Sequence, residues 1–185
     1  MRNLCVAFVV TAVSLSPAWG QTEEQRKTTV AYLQDCQQPD GGFVPSKTAP
    51  RSSLRASSAA LRALKYFGGE PRDRAACARF VPRCFDMSSG GFGDYPGAAP
   101  DVTSTAVGLM AVVELKLPAD AYRAAAVRYL ADQVKTFEEI RIAAAGLEAI
   151  GERPGAADAW LEQIAKLRRP DAGADRIRQR QASSG

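Results

Sequence analysis

Histidine is absent from all 185 residues. That gap excludes a serine or cysteine nucleophile activated by imidazole within the chain, and it removes the nitrogen ligand that zinc sites commonly use. Cysteine is scarce, with four in total. The longest apolar run, Leu4–Leu15, has 12 residues, short of the ~20 that a spanning helix needs. No stretch alternates apolar and polar residues long enough to make a useful strand, so the class is all-α. The glycine-rich Gly91–Gly97, "GFGDYPG", follows no strand and opens no helix directly, which argues against a phosphate cradle.

What is present begins with a leader. Residues 1–20 have a short basic start, "MRN", then the apolar run, then "SPAWG" with Ala18 and Gly20 placed for cleavage before Gln21. This is the pattern of a secretory signal peptide, so a secreted or periplasmic protein is expected, without a membrane span once processed. Arg2 leaves with the leader, so 23 basic residues face 20 acidic ones and the mature chain is near +3. The remainder is long enough to bury one sizeable core, so a single domain is expected over residues 21–168. Residues 169–185 carry several arginines and almost nothing apolar, and read as a solvated, disordered tail with no nucleic-acid partner. Cys36, Cys77 and Cys84 remain after cleavage of the leader. Cys77 and Cys84 would lie ~10 Å apart along a helix, too far for a disulfide. Cys36 and Cys84 hold equivalent repeat positions and neighbouring helices can pair them; buried small thiols are the plainer reading.

The repeat is countable. The aromatic–aliphatic pairs Tyr32-Leu33, Phe80-Val81, Tyr129-Leu130 and Trp160-Leu161 recur at steps of 48, 49 and 31. A second phrase, small-Leu-x-Ala-aliphatic, appears as Ala60–Leu64, Gly108–Val112 and Gly146–Ile150. The leucine of the phrase follows the aromatic by 29, 29 and 18 positions in the three units. The third unit is therefore shortened, and what it lacks is a Gly-Gly-Phe loop. Self-similarity with a deletion confined to a connector marks stacked supersecondary units. Each unit reads as a helical hairpin: 23–37 with 53–67, 72–85 with 103–116, and 119–134 with 137–150, followed by a lone helix over 155–167. Pro82 is expected to kink its helix or mark a late start. The second helix of each hairpin is rich in Ala, Ser and Gly, and small residues permit close axial approach. An inner row of second helices with first helices outside is expected.

The units share a connector, "CQQPDGGFVPSKTAP" in the first and "CFDMSSGGFGDYPGAAPD" in the second. Two glycines permit positive φ and a sharp reversal, and the phenylalanine can then swing back onto the helices it joins. Ser52 or Ser53, and Asp101 or Thr103, are placed to cap the following helix.

These residues carry a family likeness. "QPDGGF" resembles the repeats of squalene and terpene cyclases, and "GGFGDYPGAAPDVTSTAVGLMAV" resembles those of protein prenyltransferase β subunits. The likeness spans about Tyr32 to Leu115. It implies an α/α toroid, two concentric layers of helical hairpins around an apolar cavity. Three hairpins and one helix would make a partial toroid or open arc, since closed rings in these families take about six hairpins. Exposed ends then suggest a homodimer or another chain that completes the ring.

The chemistry implied by the resemblance fails residue by residue. Prenyltransferases of this kind hold zinc with Asp-x-Cys and a later histidine. Here the match is Asp101-Val102-Thr103, with threonine in the cysteine position and no histidine anywhere. The Asp-x-Asp-Asp acid cluster of the cyclases and the Gly-Cys-Gly-Glu-Gln run of related thioester domains are also missing. Glu138 and Glu139 are not a catalytic pair, because Thr136-x-x-Glu139 is a capping box. No catalytic residue, metal ligand or cofactor is therefore expected. The candidate ligand-binding residues are Phe43, Phe92, Asp94, Tyr95 and Asp101, a loop cluster with two aromatic neighbours. The expected function is an exported, prenyltransferase-like repeat protein that binds an apolar or isoprenoid ligand, or a protein partner, in a concave face. The alternative is an enzyme subunit whose metal or acid site another chain completes.

Overall fold

The computed structural model describes residues 21–167; the expected leader and tail lie outside that range. Seven helices run in order: α1 Glu23–Asp35, α2 Leu54–Tyr66, α3 Arg74–Arg83, α4 Val102–Glu114, α5 Asp120–Gln133, α6 Phe137–Ala149 and α7 Ala157–Leu167. Among the described residues the only β pairing is isolated bridges: Gln37 with Phe43, Phe43 with Ser53, and Phe85 with Phe92. The described residues form an all-α fold of three hairpins and one further helix. The helix α4 lies between α2 and α6 and also touches α3 and α5. Every residue of α4 from Ser104 to Val112 is buried, as its all-round apolar composition requires. The outer helix α1 has no buried residue. This is the expected inner row α2–α4–α6 with first helices outside.

Helix ends follow the sequence chemistry. Ser53, Asp73, Asp101 and Thr136 each cap with a side-chain oxygen that accepts the amide three residues on. The capping box of Thr136 and Glu139 forms, and Thr22 with Gln25 makes a second one at the start of α1. Each inner helix stops at a left-handed residue in an equivalent position: Gly68 (φ 73°), Lys116 (φ 57°) and Gly151 (φ 72°). The amide after each bonds back to Leu64, Val112 and Leu147 at 2.8, 2.9 and 2.9 Å, the backbone signature of a helix C-terminal cap. Pro82 stands in the last turn of α3, so it sets the stop there and does not break the helix mid-way.

The two glycine corners hold the hairpins together. Gly41 has φ 91° and Gly90 has φ 80°. Only glycine adopts such a conformation freely. Each also lies against the first helix of the next hairpin. A Cβ on Gly41 would sit 2.1 Å from the Ala76 carbonyl oxygen, and one on Gly90 would sit 2.9 Å from that of Ala125. Behind them, Gly42 is pressed against the Phe80 ring and Gly91 against the Tyr129 ring. The corner turns the chain within one unit and seats the next unit on it. Close approach of the inner row has a similar origin. A Cβ on Gly146 would meet Ala106 Cα at 2.7 Å, so this glycine lets α6 approach the backbone of α4 closely.

Alanine at Gly41 adds both left-handed strain and a collision with backbone, whereas alanine at Gly68 adds strain alone, with nothing within 4 Å. Gly41→Ala is expected to lose roughly 3–4 kcal/mol of stability and Gly68→Ala about 1–2 kcal/mol. Urea unfolding of both variants checks this; equal losses would mean that the corner is not seated against α3.

Candidate functional site

The five candidate residues divide into two groups. Phe43 and Phe92 lie fully in the core, each 0% exposed. The Phe92 ring packs on Phe85, 4.9 Å between centroids, and on Tyr122, 5.5 Å between centroids. Both are ordinary aromatic contacts. The same ring fills the space left by Gly108. Swinging back onto the hairpin encloses both phenylalanines, and neither is exposed at the surface. Their backbones are equally committed. The Phe43 amide donates to Ser57 Oγ at 2.8 Å and the Phe92 amide to Thr105 Oγ1 at 2.9 Å. Their carbonyls accept from the amides of Ser53 and Asp101 at 2.9 and 3.3 Å. Buried Ser57 and Thr105 thus satisfy buried amides that have left regular structure.

Asp94, Tyr95 and Asp101 do come together, at the N-terminal ends of the inner helices. The Asp101 carboxylate accepts from the Ser104 amide at 2.8 Å, from Ser104 Oγ at 2.8 Å and from Arg55 Nη2 at 2.7 Å. Asp94 Oδ1 accepts the Arg55 amide at 3.0 Å, and the Asp94 carbonyl accepts the Leu54 amide. The Arg51 guanidinium stacks 4.6 Å from the centre of the Tyr95 ring, a cation–π contact. Arg55 therefore stands where a bound cation would have to sit to use Asp101, and it ties the first hairpin to the second. Arg55 was not among the residues expected here. Its signal was a cation placed two residues after a cap, which is common on any helix.

Zinc does not fit these residues. Asp101 is already engaged by the Ser104 amide, Ser104 Oγ and Arg55, Thr103 offers no thiolate, and the sequence has no histidine. Among the described residues no three His, Cys, Asp or Glu side chains are grouped to hold a metal ion. The thiols are poor ligands and nucleophiles for a different reason. Cys36, Cys77 and Cys84 are all free and buried, and the pairing of Cys36 with Cys84 does not form. Burial pushes the Cys77 thiol up to about 11 and the Cys84 thiol up to about 12, since desolvation penalises the thiolate. Gln37 Nε2 donates to Cys77 Sγ at 3.1 Å, and Cys84 Sγ donates to the Phe80 carbonyl at 3.6 Å.

Among the surface hollows of the described residues, two combine apolar side chains with open access. One, about 400 Å³, lies on the solvent side of the inner row and is lined by Arg62, Met110, Val113, Glu114, Ala145, Glu148 and Ala149. The other, about 640 Å³, runs between α6 and α7 over Ile140, Leu147, Trp160, Leu161 and Ile164. Neither includes a residue of the expected cluster.

The family model for the prenyltransferase alpha-alpha toroid domain matches residues 1–73 and again 69–140. The chain belongs to this toroid family. Each match holds one Gly-Gly-Phe corner, and the second ends just inside α6, where the toroid repeat has lost its connector. No curated protein matches the chain. Membership fixes the hairpin architecture of the toroid and leaves its activity to the site. None of the described helices is long and apolar enough to cross a membrane.

The burial of all three thiols makes a direct expectation. At pH 8 a disulfide reagent should label fewer than one cysteine per folded chain of residues 21–185, and three once that chain is unfolded. Rapid labelling of any one of the three in the folded protein would contradict their enclosure.

Proposed function

We propose that this toroid module is exported and non-catalytic, and that it binds an apolar ligand or a protein partner on the solvent side of its inner row. The observation that carries the reading is the pairing of Arg55 with Asp101. It occupies the carboxylate most nearly matched to family chemistry, while the inner face two turns away keeps an open hollow. That hollow has a base of Met110, Val113, Ala145 and Ala149 between charged walls, the mixture of apolar area and few polar groups that small-molecule and peptide sites share. Val113 is 37% exposed on an otherwise buried helix, which supports an occupant. Export is supported by the leader-like first twenty residues and by the capped start of α1 at Glu23, close behind the expected cut before Gln21.

Val113→Cys supplies a label site, because the three native thiols are buried. A bimane fluorophore there should shift to the blue on titration with farnesol, used as an apolar probe, and a label at exposed Met87→Cys should not. The same protein, dialysed after incubation with zinc, should retain far less than one metal per chain. No spectral change at Val113→Cys with farnesol or with rising protein concentration would overturn the binding reading. One tightly held zinc per chain would favour an enzyme subunit instead.

A further inference from the structure

We infer that the occupant of the inner face is a second copy of this chain, docked about a two-fold axis that runs along α4; this rests on the reading of that face as a binding surface. One position of the repeated phrase small-Leu-x-Ala-aliphatic changes chemical character from helix to helix. That position is Arg62 in α2, Met110 in α4 and Glu148 in α6. All three line the same hollow, so they form one row across the inner helices: cation, thioether, carboxylate. Arg62 reaches over Met110, with Nη1 3.5 Å from Sδ. Among the described residues neither Arg62 nor Glu148 has an ion-pair partner, although their neighbour Glu114 is paired with Lys65 at 2.9 Å.

A row whose charge reverses about its centre is complementary to itself under one operation. Rotation by a half-turn about an axis along α4 carries the Arg62 of one copy onto the Glu148 of the other, and Met110 onto Met110. Rotation about an axis along the row sets like charges together instead. Isologous contacts of the first kind make closed dimers, and opposite charges in register set their orientation. The rest of the face agrees with this choice. The row one turn toward the helix starts is Ala59, Val107 and Ala145, small and apolar at both ends. Above it Arg55 and Arg141 would face each other, but each is already neutralised within its own chain, by Asp101 at 2.7 Å and Glu138 at 2.8 Å. The two hollows would then meet across the axis and close into one chamber over Met110 and Val113.

Charge exchange at two exposed sites tests the docking without touching the core. The mature chain should sediment as a dimer at micromolar concentration. Arg62→Glu alone, and Glu148→Arg alone, should each weaken the dimer roughly tenfold or more by placing like charges in both contacts. The double variant should restore it. Melting curves of the single variants matching wild type would show that the fold is intact. A dimer indifferent to both exchanges, or a double variant no tighter than the singles, would overturn the proposal, as would a monomeric wild type. A monomer that still shows the farnesol response at Val113→Cys would leave the binding reading standing and sink only the self-docking.

Discussion

The array depends on one backbone amide per corner. Where the chain leaves the first helix of a hairpin, the amides of Phe43 and Phe92 are buried beyond the reach of water and of any helix carbonyl. Each finds a hydroxyl on the second helix, Ser57 or Thr105. An unpaired buried amide costs on the order of 1–3 kcal/mol, so this bond decides where the corner docks. Once it is docked, the phenylalanine is sealed in the core and the preceding glycines present bare backbone to the next hairpin. Turn, core and inter-repeat contact are thus consequences of one local arrangement used twice.

The third unit shows the effect of losing the corner. Its helices α5 and α6 are joined by a short link that ends in a capping box, and it offers no glycine ledge for a fourth hairpin. Beyond the third hairpin α7 packs on α6, and the groove between them is lined largely by apolar side chains. Asp101 caps α4, and Arg55 bonds the same carboxylate to make a clasp between hairpins.

The repeat, the hairpins, the caps and the glycine corners were legible because they depend on local chemistry at fixed spacing. Helix limits expected from apolar periodicity lie close to those found, differing where the cap claims a residue, as Asp73 does before α3. What stayed hidden depends on neighbours distant in sequence. The burial of Phe43 and Phe92 comes from how deep the corner docks, which their aromatic character alone does not reveal. Arg74 and Arg123, equivalent residues of α3 and α5, donate to the Glu114 and Ile150 carbonyls at the ends of the inner helices at 2.9 and 2.7 Å. In the sequence they are two arginines among many. Lys116 takes a left-handed turn that the other units give to glycine, and only the alignment of repeats would have marked it. The row of Arg62, Met110 and Glu148 was visible as the variable position of a counted phrase, but its meaning required knowing that the inner helices lie side by side.

Hydrogen exchange at the two corner amides tests the central claim most directly. If the amide–hydroxyl bonds anchor the corners, Phe43 and Phe92 should exchange only through global unfolding, as slowly as the core of α4, although both lie in connecting loops. Exchange of either amide at the rate of the neighbouring loop residues Lys47 or Tyr95 would contradict the account.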